Sequence, residues 1–84
     1  GVEPASLTRR LTAGDETAFA ELYERFGVRL FRTARRLLGD EHAAEDAVQD
    51  VFAALARSHA NRGTVVYWTG YLFASLRHAA ARIG

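Results

Sequence analysis

The chain has 84 residues, a formal net charge of +1, roughly half its residues apolar and a quarter charged, one proline and no cysteine. That composition excludes a disulfide framework, thiolate metal ligation and wholesale disorder, and the apolar runs are too short for a membrane span or a signal-peptide core. Residues 1–84 are therefore expected to form a single domain, with the cytoplasm as its default location and room for one core because it buries only roughly 60–65 % of its unfolded surface.

The charge is unevenly placed. Residues 1–50 hold seven Arg and ten acidic residues, whereas residues 51–84 hold four Arg (Arg57, Arg62, Arg77, Arg82) and no acid. The acid-free second part points toward phosphates, since counterion release rewards each cation placed near them. All eleven basic residues are Arg and none is Lys. This suits bidentate phosphate contacts, although a GC-rich genome gives the same bias. Opening on Gly1 rather than Met, the chain reads as a piece cut from a longer protein.

Pro4-Ala5-Ser6-Leu7 begins a short helix, with Pro tolerated in the first turn and Leu7 and Leu11 four apart on one side. Gly14 ends it. Asp15 is a suitable N-cap for a long helix from about Glu16 to Leu38, with Glu16 favourable to its dipole. Phe19, Leu22, Tyr23, Phe26, Leu30, Phe31, Ala34, Leu37 and Leu38 form its apolar stripe. Gly27, inside that helix, costs on the order of 1 kcal/mol relative to Ala and marks a bend or a close helix contact. Arg25, Arg29, Arg32 and Arg36 make a basic ridge away from the stripe, and Glu21 is placed to pair with Arg25 at i, i+4. Most exposed charge rows are no more than a solvated face.

Gly39 is a C′ residue, and Asp40 introduces the next helix, His42 to Ser58. At 100° per residue, Ala44, Val48, Val51, Phe52 and Leu55 share an apolar sector while Asp46, Gln49, Asp50, Ala53 and Arg57 lie opposite. This outer face is short-chained and acidic-amide, unlike the Lys/Glu mixture of a merely solvated helix, and suggests a docking surface, with a solvated face as the usual alternative for such a pattern. Residues 59–64 read as a loop, because Asn61 and Gly63 interrupt the repeat. Val65-Val66-Tyr67-Trp68 has the profile of a short strand but no partner strand elsewhere. A final helix from about Thr69 or Gly70 to Arg82 places Leu72, Leu76, Ala79 and Ile83 in one row and Tyr71, Ser75, His78 and Arg82 in a neighbouring row. The expected fold is all-α: a compact bundle of four helices, the first short, the second long, the third an acidic docking helix and the fourth facing nucleic acid.

Catalysis finds little support. His42, His59 and His78 are far apart with no metal-ligand spacing, so no metal site and no cofactor are expected, and no phosphate loop or nucleophile elbow is present. Asp46 and Asp50 share a face, but on an open helix surface. Nucleic-acid binding is better supported, since single-stranded bases are held by aromatic faces beside cations. The segment from Arg62 to Arg82 supplies Tyr67, Trp68, Tyr71 and Phe73 with Arg62, Arg77, His78 and Arg82. Trp68 and Phe73 are the aromatics with the greatest pull toward the core.

The stretches LTAGDETAFAELYERFGVRLFRTARRLLGD, HAAEDAVQDVF and YLFASLRHAAARI, in this order, resemble the second conserved domain of bacterial sigma factors, in particular the extracytoplasmic-function group. The resemblance runs from about Leu7 to Ile83. It implies an all-α domain that binds core RNA polymerase and recognises and melts the promoter −10 element. By motif position, Asp46, Gln49 and Asp50, with Ala53 on the same face, dock on the coiled coil of the β′ clamp. The loop Asn61 to Trp68, with Tyr71, Arg77 and His78 on the last helix, corresponds to the segment that holds a flipped base of the non-template strand; Arg62 and Arg82 join this set as phosphate-facing cations. Family members are often held by an anti-sigma factor, which makes one a further implied partner. Arg77-His78 stands where the family commonly has Arg-Asn, and Arg82 where an Asp is common. The family's helix-turn-helix that reads the −35 element is not among these residues. A helical adaptor using the Asp46/Gln49/Asp50 face, or a degenerate sigma-like regulator without DNA binding, is the competing reading.

Overall fold

The computed structural model describes residues 4–57 and 67–83, which form four helices and, among these residues, no strand: α1 (Pro4–Thr12), α2 (Glu16–Leu38), α3 (Glu41–Arg57) and α4 (Trp68–Ile83). Local chemistry sets the boundaries. Gly14 (φ 81°) and Gly39 (φ 70°) adopt left-handed conformations that only glycine takes without strain, and Gly39 returns its N–H to the Arg35 carbonyl at 2.8 Å. Asp40 caps α3 by accepting the Ala43 N–H at 2.8 Å.

Asp15 caps α2 through hydrogen bonds that its carboxylate accepts from the Thr17 N–H (2.9 Å), the Ala18 N–H (3.4 Å) and the Thr17 hydroxyl (2.6 Å). The Thr17 hydroxyl and then the Arg10 guanidinium are the main causes that hold this carboxyl down to about 2. A depressed carboxylate contributes stability that is complete above its unfolded pKa and disappears as pH falls through its folded one. The stability difference between wild type and Asp15→Asn is thus expected to be constant near neutrality and to shrink from about pH 4 downward, with a remnant at pH 2, as read by urea unfolding along a pH series. A difference undiminished at pH 2 would contradict this account of the cap.

Arg10 does more than touch the cap. Its guanidinium also donates to Glu21 at 2.9 Å, tying α1 to α2. Glu21 therefore pairs with Arg10 rather than with Arg25 as its i, i+4 spacing suggested. The α1–α2 turn brings Arg10 between two carboxylates, a geometry that the single local pair cannot match.

α2 contributes Ala18, Leu22, Phe26, Leu30 and Ala34 to the core, α3 contributes Ala44, Ala47, Val48, Val51, Phe52 and Leu55, and α4 contributes Trp68, Leu72, Leu76 and Ala79. The three long helices pack on one another, and α1 lays Leu7 and Leu11 over one end. Phe52 is the aromatic centre of the α2–α3 contact, with the Phe19 ring at 6.0 Å and the Tyr23 ring at 4.8 Å. A methyl group at Gly27 would sit 3.5 Å from the Tyr23 ring of its own helix, an ordinary contact, so this glycine marks no close approach of a second helix. Among the described residues no helix is long and apolar enough to cross a membrane.

Candidate functional site

The outer face of α3 is built as its periodicity predicts. Asp46, Gln49, Asp50, Ala53 and Arg57 are all exposed, while the opposite sector is buried against α2 and α4. Asp and Ala have few rotors to freeze, so a partner laid on Asp46, Asp50 and Ala53 costs little side-chain entropy there, Gln49 being the longer exception. Because Ala53 adds almost no height, the backbone of α3 can be approached closely.

Beside this face lies a groove of about 660 Å³ between α2 and α3, which Gln49 shares with Tyr23, Glu24, Gly27, Val28, Phe31, Glu41, Glu45 and Val48. Its walls are apolar and its rim acidic. Tyr23 is 48 % and Val28 60 % exposed, so both leave apolar surface open to solvent along this groove. The stripe on α2 predicts Tyr23 in the core; instead it rests one side of its ring on Phe52 and leaves the remainder open. A sequence signal existed. With Tyr23, Phe31 and Leu37 included, the apolar arc of α2 is wider than one packed face requires, and Leu37 is indeed also exposed.

At the other end of the chain, two neighbouring aromatics part company. Trp68, assigned to the nucleic-acid set and to the loop, is the first residue of α4 and only 4 % exposed. Its indole N–H donates to the Thr8 hydroxyl at 3.1 Å, and Tyr71 meets its ring edge-on at 5.6 Å. It is a tie between α1 and α4, and it offers no face on which a base could stack. Tyr67, one residue earlier, is 68 % exposed. Its ring lies over Gly70, where an added Cβ would come within 2.8 Å of it, and its carbonyl accepts the Tyr71 N–H at 3.1 Å. Gly70 thus provides the seat on which this exposed aromatic rests. Asn61 and Arg62 lie outside the described residues.

Along α4 the remaining candidates fall on two flanks. Tyr71, Ser75, His78 and Arg82 face α3 and line a second groove of about 370 Å³ with Asp50, Val51 and Ala54. The acidic face of α3 and this polar row of α4 consequently share a border at Asp50. Arg77 is not part of that groove. Adjacent residues on a helix are about 100° apart, so Arg77 sits on the other flank, one turn beyond Phe73. Phe73 in turn is half-buried and carries the guanidinium of Arg29 from α2 at 5.6 Å from its ring centre.

The family model described as Sigma-70 region 2 matches residues 22–82, from the second turn of α2 to the last turn of α4. No curated protein and no solved structure gives a match to the chain.

Proposed function

Because this chain belongs to the sigma-70 region 2 family, we propose that it acts in transcription initiation as the core-binding and promoter-melting domain of an extracytoplasmic-function sigma factor. In this reading the outer face of α3, Asp46, Gln49, Asp50 and Ala53, docks on the β′ clamp coiled coil of core RNA polymerase. The acid-rimmed α2–α3 groove beside it widens the footprint, because exposed Tyr23 and Val28 supply the apolar surface that a polar helix face lacks. The single observation carrying the proposal is the family match, which spans both surfaces. A protein that covered the same α3 face would exclude polymerase and act as an anti-sigma factor. Its place of work would be with the polymerase, in the cytoplasm.

Promoter opening needs no bond to be made or broken by the protein. Extruding a base from the duplex costs a few kcal/mol, which stacking and hydrogen bonds in the binding site must offset. Tyr67 is the exposed aromatic beside α4, so the stacking role that the resemblance spreads over its loop and last helix falls first on it. Tyr71 and His78 sit beside Asp50 in the α3–α4 groove, on the flank from which a strand could pass between the docking face and α4.

The deciding experiment is co-purification of the chain with core polymerase, followed by detection of unpaired thymines over the −10 element of a promoter template. Loss of one stacked base is worth about 1–3 kcal/mol. Tyr67→Ala is therefore expected to weaken binding to a single-stranded −10 oligonucleotide by roughly 5- to 150-fold, with the thermal midpoint unchanged because this ring is not in the core. Core binding without any promoter opening would favour the adaptor reading, and no core binding would defeat the sigma-factor reading.

A further inference from the structure

The sigma-domain reading leaves one strongly charged surface without a role, the ridge of α2. Arg25, Arg29, Arg32 and Arg36 recur at intervals of four, three and four, so they lie along one line of the helix, and all four are exposed. The row is about 16 Å long at 1.5 Å per residue. Two features keep it cationic. Glu21, which continues the same line one turn earlier, is taken up by Arg10 at 2.9 Å, and the two ion pairs among the described residues both belong to Arg10, so neither involves the ridge. Glu24 of α2 and Glu41 and Glu45 of α3 line the α2–α3 groove, and α4 has no acidic residue. On the ridge side α4 instead presents Phe73, against which Arg29 is held at 5.6 Å, and then Arg77.

We infer that this edge, the α2 arginine row extended by Arg77, is a track for the phosphodiester backbone of duplex DNA, resting on the sigma-domain reading above. The match is one of spacing and chemistry. Phosphates of one strand advance by about 3.4 Å along the helix axis while winding around it, so a straight row of this length meets a few consecutive ones of that strand. Planar guanidinium groups bind phosphate oxygens bidentately, and contacts of this kind fix position without reading sequence. The stacking surface at Tyr67 and the polar flank of α4 would engage the opened strand, while the α2–α4 edge holds duplex beside it. This gives Arg77 a partner set different from that of His78, its neighbour in sequence.

The test uses the 84-residue chain and a fluorescent mixed-sequence duplex, with affinity followed by anisotropy from about 25 to 200 mM salt. Each phosphate that is no longer neutralised lowers the salt slope by about 0.9. The triple variant Arg25→Gln, Arg32→Gln, Arg36→Gln is expected to lower the slope by 2 to 3 and the affinity at low salt by roughly tenfold or more. Triple replacement by Lys should keep most of the slope, and the pair Arg9→Gln, Arg35→Gln, exposed but off the row, should change it by less than one. Arg29 is left intact because it packs on Phe73. A triple variant with the wild-type slope, or an equal loss from the off-row pair, overturns the track while leaving the Tyr67 result to stand by itself. Loss of core-polymerase affinity with duplex binding unchanged also overturns it and makes the ridge a protein-docking surface. Wild-type protein that binds no duplex even at 25 mM salt sinks the inference outright.

Discussion

Replacing Trp68 by Ala is expected to destabilise the domain by about 3–5 kcal/mol, the usual cost of removing a large buried aromatic. A domain of this size has only roughly 5–15 kcal/mol in total, so the loss is a large share of its stability. The cost has two sources. One is the cavity left where α1, α4 and Tyr71 meet around the indole, and the other is the hydrogen bond to Thr8, worth about 1 kcal/mol net. Trp68→Phe separates them, since it keeps most of the ring volume and deletes the N–H donor; it should fall between wild type and Ala. Urea unfolding gives the stabilities. Affinity for single-stranded DNA, measured at low temperature and corrected for the folded fraction, should be unchanged in both variants. A Trp68→Ala protein that melted like wild type and yet lost DNA binding would show that the indole works at the surface, against its 4 % exposure.

The different fates of Trp68 and Tyr67 show where a sequence reading ends. Helix limits were legible because capping is local: Asp15, Gly39 and Asp40 each satisfy backbone groups within a few residues, and the structure places all three as caps or stops. The two faces of α3 were legible because a 3.6-residue period leaves no ambiguity over a helix of this length. The pull of Trp68 toward the core was legible, but its tie to α1 was not, because its partner Thr8 is sixty residues away. Glu21 failed for a similar reason. A local spacing rule named Arg25, and a turn between helices delivered Arg10 instead. The two flanks of α4 were implicit in the helical period, yet only the packing of α3 on one side and of α2 on the other gives each flank its neighbours.

The charge of Asp50 is the point at which the proposed docking face is most exposed to test. Asp50→Arg should weaken binding to core RNA polymerase by roughly 100-fold or more, because placing like charges against a complementary patch costs several kcal/mol. The substitution should leave the fold alone: Asp50 is exposed on α3, makes no ion pair among those described, and Arg is at least as good a helix former as Asp. Far-ultraviolet dichroism and the thermal midpoint are therefore expected to match wild type. Removing the charge without reversing it, as in Gln49→Ala combined with Asp46→Ala, should give a smaller loss that reflects missing contacts rather than repulsion. The ordering matters more than either value, since a docking face makes reversal worse than truncation, whereas a merely solvated face makes both neutral. Asp50 also borders His78 and Arg82 in the α3–α4 groove, so an Arg there adds positive charge beside the polar row of α4. Duplex or single-strand affinity that stays level or rises while polymerase affinity collapses would place the two activities on separate surfaces, with α3 for the enzyme and α4 for the nucleic acid. Unchanged polymerase affinity in Asp50→Arg would remove α3 from the interface altogether.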